Sequence, residues 1–356
     1  MSGIEILYVF EPTVRAGQLE EWIAHFELSG AEATLQPLGD TPVIVTSEPA
    51  VVPVPPHLPE PVAVVRSSGG FRLGRRELRP AGTTVSIGSA QIGDGSISVI
   101  AGPCAVECGE QLDTTAGLVA RYGAVGLRGG AFKPRTSPYA FQGLKWRGLE
   151  LLAEARRKTG LPIVTEVVDT RHVGRVARVA DALQIGARNM QNFELLWEVG
   201  AAGLPVVLKR GFGCTVDEVL AAAEYILTAG NDQVILCERG IRTHEHLTRF
   251  TLDISAVALM KQHSHLPVMV DPSHSTGLPA LVEPVSMAGV AAGADALLVD
   301  VHARPEQALC DGGQALTPAG FRLLMGRLDM LAMGLGRRMS GAIDLDPRDA
   351  TLRTTA

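Results

Sequence analysis

The chain of 356 residues is poor in several features, and most of these shortages remove a class of function. Aromatic residues make up only 4%, so platforms for stacking bases or sugars are scarce. No apolar run approaches the roughly 18 residues that a membrane helix needs. The start of the chain carries Glu5 and only the short run Ile6–Phe10, with no basic stretch before it, so no signal peptide is expected and the cytoplasm is the default location. Cysteines are few. Five of them (104, 108, 214, 237 and 310) form no even framework, and free thiols are expected. Walker-type phosphate loops are excluded, because no Gly-Lys pair occurs. The glycine fingerprint of an open dinucleotide-binding sheet is absent after every β-prone run. With 32 basic against 38 acidic residues, the net charge of −6 argues against a polyanionic partner such as nucleic acid.

Lysine is the most telling shortage. Five lysines stand against 27 arginines, so the lysines that remain are candidates for work that a planar guanidinium does badly. What the chain has in quantity is apolar residues, 46%, in a repeating pattern. From residue 96 onward, short β-prone runs alternate with helical stretches. The runs are Ser98–Ala101, Val125–Leu127, Pro162–Thr165, Leu183–Ile185, Pro205–Leu208, Val234–Cys237, Pro267–Val270 and Ala296–Val299. Eight such units predict a closed (β/α)8 barrel over residues 96–340.

Residues 1–70 read differently, as a small α+β module. Ile6–Phe10 and Pro42–Thr46 suggest strands, and Gly17–Leu28 suggests a helix with Leu19, Trp22, Ile23 and Phe26 on one face. The stretch 51–61 is too rich in proline for a helix and is either an extended crossover or a linker. Within the connecting segment 71–95, residues 71–79 are basic and read as a solvated face, and 85–95 read as a β-hairpin. Residues 341–356 read as a flexible tail.

In a barrel of this type the chemistry sits at the C-terminal strand ends. Those ends carry Cys104, Arg128, Glu166, Arg188, Lys209, Glu238 with Arg239, Asp271 with His274, and Asp300 with His302. Arg128, Lys133, Arg135, Arg188, Lys209 and Arg239 would repel one another in one cleft unless the ligand is strongly anionic, which points to a small phosphorylated molecule. Cys104, His274, Asp300 and Asp311 offer sulfur, nitrogen and carboxylate oxygen, a mixture suited to Mn²⁺, Fe²⁺, Co²⁺ or Zn²⁺. The two His-x-His pairs, His244/His246 and His263/His265, fall outside the strand ends and read as surface residues.

Seven motifs in order carry a resemblance. They are Ala101-Gly-Pro-Cys-Ala-Val-Glu107, Leu127-Arg-Gly-Gly-Ala-Phe-Lys-Pro-Arg-Thr-Ser-Pro-Tyr139, Gln184-Ile-Gly-Ala-Arg-Asn189, Leu208-Lys-Arg-Gly211, Leu236-Cys-Glu-Arg-Gly-Ile-Arg242, Val270-Asp-Pro-Ser-His-Ser275 and Asp311-Gly-Gly-Gln314. Together they resemble 3-deoxy-D-arabino-heptulosonate 7-phosphate (DAHP) synthase, in the class with a small module ahead of the barrel. The resemblance implies condensation of phosphoenolpyruvate with erythrose 4-phosphate, the first step of the shikimate pathway to chorismate and the aromatic amino acids. It implies phosphoenolpyruvate on Arg128, Lys133, Arg188, Lys209 and Arg239, and erythrose 4-phosphate on Lys133, Arg135, Thr136 and Ser137. It places the divalent metal on Cys104, His274, Asp300 and Asp311, and makes Lys133 a proton donor whose proton affinity is lowered by neighbouring cations.

By the same resemblance the module is ferredoxin-like, with its second helix replaced by the 51–61 stretch. It would bind an aromatic amino acid as effector or serve assembly into a dimer or tetramer. This chain departs from the family pattern with Asp300 for Glu, Ala303 for Pro and Cys310 for Ser. Retained but weaker or altered metal binding is the expected consequence of the shorter Asp300 side chain. A sister synthase using phosphoenolpyruvate with a different sugar, and a catalytically silent paralogue, are the competing readings.

Overall fold

The structure, a computed structural model, describes residues 4–47, 55–67 and 70–342. Two bodies of secondary structure share one apolar cluster.

The first is a four-stranded antiparallel sheet: β1 (Glu5–Val9), β2 (Ala33–Leu35), β3 (Val43–Ser47) and β4 (Ala63–Ser67), in the order β2-β3-β1-β4. Alternation along β1 decides its two faces. Ile6 and Tyr8 pack with Phe10 and Ile44 against Leu19, Trp22 and Phe26 of the helix Ala16–Leu28. Leu7 and Val9 face the other way, into the cluster that continues through the barrel helices. The strand order is that of a split βαβ unit, the ferredoxin-like arrangement. Among the described residues no helix joins β3 to β4. Leu58 enters the module core instead, and Trp22 Nε1 donates to the Pro59 carbonyl at 3.0 Å. Residues 51–54 of the proline stretch, and 343–356 of the expected tail, lie outside the described residues.

The eight expected barrel strands are all present and parallel: β7 (Ser98–Gly102), β8 (Gly126–Arg128), β9 (Ile163–Glu166), β10 (Ala182–Ile185), β11 (Val206–Lys209), β12 (Val234–Glu238), β13 (Val268–Val270) and β14 (Ala296–Asp300). The barrel closes through β14 on β7, with Ala296 opposite Ser98 and Asp300 opposite Gly102. Inward residues such as Ile100, Val164, Val207, Ile235, Met269 and Leu298 form a core of their own. The expected hairpin, β5 (Val85–Ile87) with β6 (Ala90–Ile92), adds Val85, Ile87 and Ile92 to that core and plugs the barrel at the end opposite the strand C-termini.

Two expectations fail at the seam between the bodies. Residues 71–79 are not a solvated face. Leu73 and Leu78 are buried, Arg72 pairs with Glu5 at 2.8 Å, and Arg79 pairs with Asp232 at 2.8 Å. Arg79, which also donates to the Leu38 carbonyl, ties the module to the barrel through Asp232. His265 is not a surface residue either. It is 1% exposed, with Nδ1 2.8 Å from Thr83 Oγ1 and Nε2 2.7 Å from the Leu73 carbonyl. His244, His246 and His263 are exposed as expected. Among the described residues no helix is long and apolar enough to cross a membrane.

Candidate active site

At the C-terminal mouth of the barrel lies a cavity of about 390 Å³. Its lining includes Arg128, Lys133, Arg135, Thr136, Ser137, Arg188, Lys209, Arg239, His274 and Asp311, which gathers every expected substrate-binding residue. Arg128 ends β8 and Lys209 ends β11, and both are buried. Arg239 follows β12 directly and is 4% exposed. Thr136, Ser137 and Arg188 stand exposed on the rim. Not all strand ends converge there. Glu238 turns behind the wall, accepting from Arg210 at 2.8 Å and from the Gly240 amide at 2.7 Å. His302 turns toward Glu107, 3.5 Å away.

The buried cations differ in how fully they are partnered. Lys209 Nζ is 2.6 Å from Asp271 Oδ2. Arg128 pairs with Asp300, yet its buried Nε makes no hydrogen bond. Arg239 donates from Nη2 to the His274 carbonyl at 3.0 Å, and its buried Nη1 has no partner. Burial, with Arg249 nearby, brings the Arg239 guanidinium down to about 10, so it remains charged at neutral pH. Buried donors without acceptors cost free energy unless a ligand supplies them. An oxyanion in the cavity would do so.

A second cluster abuts the first. Cys104 Sγ lies 3.5 Å from His274 Nε2 and 3.1 Å from Asp311 Oδ2, and His274 Nε2 lies 3.9 Å from Asp311 Oδ2. His274 sits on the short helix Pro272–Thr276, which Asp271 caps by accepting the His274 amide. The same carboxylate holds Nδ1 at 2.9 Å, which turns Nε2 toward the sulfur. Burial opposes charge on His274, but Asp271 and Asp300 outweigh it and raise its affinity for a proton. Burial alone would raise the Asp271 carboxyl; His274 and Lys209 hold it well below the usual range. Asp311 is similarly held down by His274 and Arg249 against burial. It adopts φ +52°, a left-handed backbone that aims its carboxylate at Cys104. Cys310 stands 3.9 Å from Cys104, sulfur to sulfur, and both thiols are free. A hydrogen bond with Cys104 holds the Cys310 thiol below its ordinary value; burial opposes this, and Lys133 assists it.

These donors suit a divalent ion. Sulfur, imidazole nitrogen and carboxylate oxygen converge at separations that a single small ion spans, and a carboxylate orients the histidine from behind. Two groupings of donor atoms fall within 4.8 Å of one another, Cys104 with His274 and Asp300, and Cys104 with Cys310 and Asp311.

Lys133 corrects one expectation. Its Nζ lies 3.1 Å from both Cys104 Sγ and the Cys104 carbonyl. Burial and Arg128 oppose its charge, but the sulfurs of Cys104 and Cys310, with Glu166, outweigh them and raise its proton affinity. Lys133 is placed among sulfurs rather than among cations alone, so the expected lowering does not occur. Gly130 makes this possible, since a Cβ there would sit 2.6 Å from Lys133 Cδ and 2.7 Å from the Cys104 carbonyl.

Among the lining residues that the site prediction did not name are Phe212, Arg242, Arg249 and Phe250. Arg242 ends a quoted motif and was within reach. Arg249 and Phe250 lie on the irregular chain before the helix Ile254–His263, where no periodicity marks a position.

A closed parallel barrel with crowded cations and a thiol–imidazole–carboxylate corner at its mouth defines an enzyme acting on small, strongly anionic molecules. The chain belongs to the DAHP synthetase I family, whose model matches residues 80–330. It is 50% identical over 278 residues to the phospho-2-dehydro-3-deoxyheptonate aldolase of Thermotoga maritima, covering 78% of this chain and 82% of that one. A crystal structure of the DAHP synthase of that organism superimposes with a TM-score of 0.76 at 42% identity, covering 94% of this chain and 99% of that one. The 2-dehydro-3-deoxyphosphooctonate aldolase of Syntrophotalea carbinolica is 32% identical over 243 residues, 63% of this chain and 86% of its own.

Proposed function

We propose that the cavity holds phosphoenolpyruvate on Arg128, Lys133, Arg188, Lys209 and Arg239, with erythrose 4-phosphate reaching it over Arg135, Thr136 and Ser137. The enzyme is a DAHP synthase, a transferase at the entry to the shikimate pathway. The observation that carries the site assignment is the pair of buried, unpartnered guanidinium nitrogens, Arg128 Nε and Arg239 Nη1, in one cavity with Lys209 and the thiol corner.

In the reaction, C3 of phosphoenolpyruvate bonds to the aldehyde carbon of the sugar phosphate. The aldehyde oxygen takes a proton, water adds at C2, and C–O cleavage releases phosphate. The cations hold two anions together against their repulsion, an orientation effect worth roughly 7–11 kcal/mol in well-aligned systems. Asp271 fixes Lys209 and His274 in their rotamers from behind the cavity. Lys133 keeps its proton at Nζ, 3.1 Å from Cys104 Sγ, and would deliver it to the aldehyde oxygen of a sugar phosphate bound beside that corner. Cys104, His274 and Asp311 would hold the divalent ion. Bound there, such an ion supplies Lewis acidity to the aldehyde.

The test mixes purified protein with phosphoenolpyruvate and erythrose 4-phosphate, with and without chelator, and follows phosphoenolpyruvate loss and phosphate release. Turnover that chelator abolishes and added metal restores is expected. Turnover with a pentose phosphate but not with erythrose 4-phosphate would transfer the chain to the sister synthases. No turnover with either sugar, in metal-loaded protein, would leave the silent-paralogue reading.

A further inference from the structure

We infer that the fourth ligand of the metal site is the thiolate of Cys310, and that Asp300 is instead the buried counter-ion of Arg128. The inference rests on the reading of the thiol corner as a metal site and concerns which side chains complete it.

Geometry separates the two candidates. Tetrahedral coordination, with about 2.3 Å to sulfur and about 2.0–2.2 Å to nitrogen or oxygen, sets ligand atoms about 3.3–3.8 Å apart. Cys310 Sγ lies 3.9 Å from Cys104 Sγ and 3.5 Å from Asp311 Oδ2. With the Cys104–Asp311, Cys104–His274 and His274–Asp311 separations of 3.1, 3.5 and 3.9 Å, five of the six edges of one tetrahedron lie within that range or about 0.2 Å outside it. Asp300 approaches the same cluster from the wrong side of the imidazole. Its Oδ2 is 3.6 Å from Nδ1, the nitrogen that already faces Asp271, whereas Cys104 and Asp311 lie at Nε2. Both Asp300 oxygens are also engaged, Oδ1 by Arg128 and Oδ2 by the Gln314 amide at 2.6 Å. Withdrawing that carboxylate to bind an ion would leave the Arg128 guanidinium buried without its counter-ion, a costly change.

Charge supports the same assignment. Two thiolates and the Asp311 carboxylate exceed a divalent ion by one negative charge. Two cations already face the sulfurs: Lys133 Nζ lies 3.1 Å from Cys104, and Arg135 Nη1 lies 2.7 Å from Cys310. Cationic neighbours favour thiolate over thiol. A donor set of two sulfurs, one nitrogen and one oxygen is softer than one with a single sulfur, and it shifts preference from Mn²⁺ toward Zn²⁺ and Co²⁺.

The experiment loads the full chain with one equivalent of Co²⁺ or Zn²⁺. It counts sulfur ligands by thiolate-to-cobalt charge-transfer absorption and by X-ray absorption at the zinc edge. Two sulfurs at about 2.3 Å are expected in the native protein. Cys310→Ser should halve the charge-transfer intensity and weaken Co²⁺ binding by at least about tenfold, the lower bound for loss of a supporting group around a metal. Asp300→Asn should leave two sulfurs in place. A single sulfur in the native protein overturns the inference while leaving the metal site standing, and so does a spectrum that Asp300→Asn changes and Cys310→Ser does not. Failure of the native protein to bind either ion overturns both. The native measurement decides alone if a variant does not fold.

Discussion

The mouth of the barrel and the seam behind it both bury charged and titratable groups, but they treat them in opposite ways. At the seam the charged groups are paired, and among the described residues Arg75 Nε is a buried nitrogen left without a partner. The two oxygens of Glu224 accept the amides of Leu73 and Gly74 at 3.1 and 2.7 Å, and both ring nitrogens of His265 are engaged. Arg79 donates to Asp232, Thr83 and the Leu38 carbonyl. At the mouth, Arg128 Nε and Arg239 Nη1 are buried with nothing to donate to, and six further Lys and Arg side chains line the same cavity. Satisfied burial holds a fold together. Unsatisfied burial of one sign is held in place by the rest of the structure, and a ligand of the opposite sign is what it accommodates. The two regions therefore respond differently to the same kind of mutation.

The largest contrast is expected at Arg239. Arg239→Met keeps the length of the side chain but removes the charge and its unpartnered donor. Loss of one preorganised donor to a reacting anion costs roughly 10²–10³ in rate. Condensation should fall by about that factor, while the thermal midpoint stays level or rises because a cation in a crowd of cations has gone. A midpoint that drops while activity survives would erase the distinction between the two regions.

The seam should show the reverse behaviour, most cleanly as a function of pH. Burial, only partly offset by the bond to the Leu73 carbonyl, depresses His265 from 6.5 to about 4. Between those values the unfolded chain binds a proton that the folded chain refuses, so stability is complete above about pH 6.5 and is lost as pH falls toward 4. A shift of this size corresponds to about 3 kcal/mol. His265→Gln removes the titration. Chemical denaturation at several pH values should therefore show a loss of stability between pH 6.5 and 4 that is smaller in the variant by that total. Equal losses would mean that the imidazole is not held neutral at the seam.

The same contrast explains what could be read from the sequence. Barrel strands were legible because each is a short β-prone run buried on both faces, and the mouth because each strand end carries a polar residue. The seam was not legible. In 71–79 the charges suggested solvent, although Leu73 and Leu78 occupy the buried positions between them. His265 looked like half of a surface pair, because its partners Thr83 and Leu73 come from more than 180 residues away in the chain. Proton affinity at Lys133 was misjudged for a related reason. The motif shows the arginines beside it in sequence, whereas Cys310, which the fold brings to the same corner as Cys104, is distant in the chain. Motif matching places Asp300 by position. Only the fold shows its carboxylate engaged by Arg128 and Gln314.

The smallest expected effect tests how the mouth tolerates its own crowding. Phe212 and Phe250 stack with centroids 5.0 Å apart and planes at 10°, and Arg239 lies 4.1 Å from the Phe250 centroid and 4.9 Å from that of Phe212. Arg188 and Arg242 each lie 5.6 Å from the Phe212 centroid. An aromatic face steadies a guanidinium without neutralising it, which a carboxylate in the same place would do. In a chain with only nine phenylalanines, two serve this purpose. Phe250→Leu keeps the apolar contact and removes the ring quadrupole under Arg239, a loss of about 0.5–1 kcal/mol at a partly exposed site. The KM for phosphoenolpyruvate should rise by about two- to fivefold with kcat nearly unchanged, because Arg239 keeps its charge and its donors and the ring itself does not touch the reacting atoms. A fall in kcat with KM constant would mean that the aromatic pair shapes the transition state itself, and an unchanged KM would mean that Arg239 needs no support from beneath.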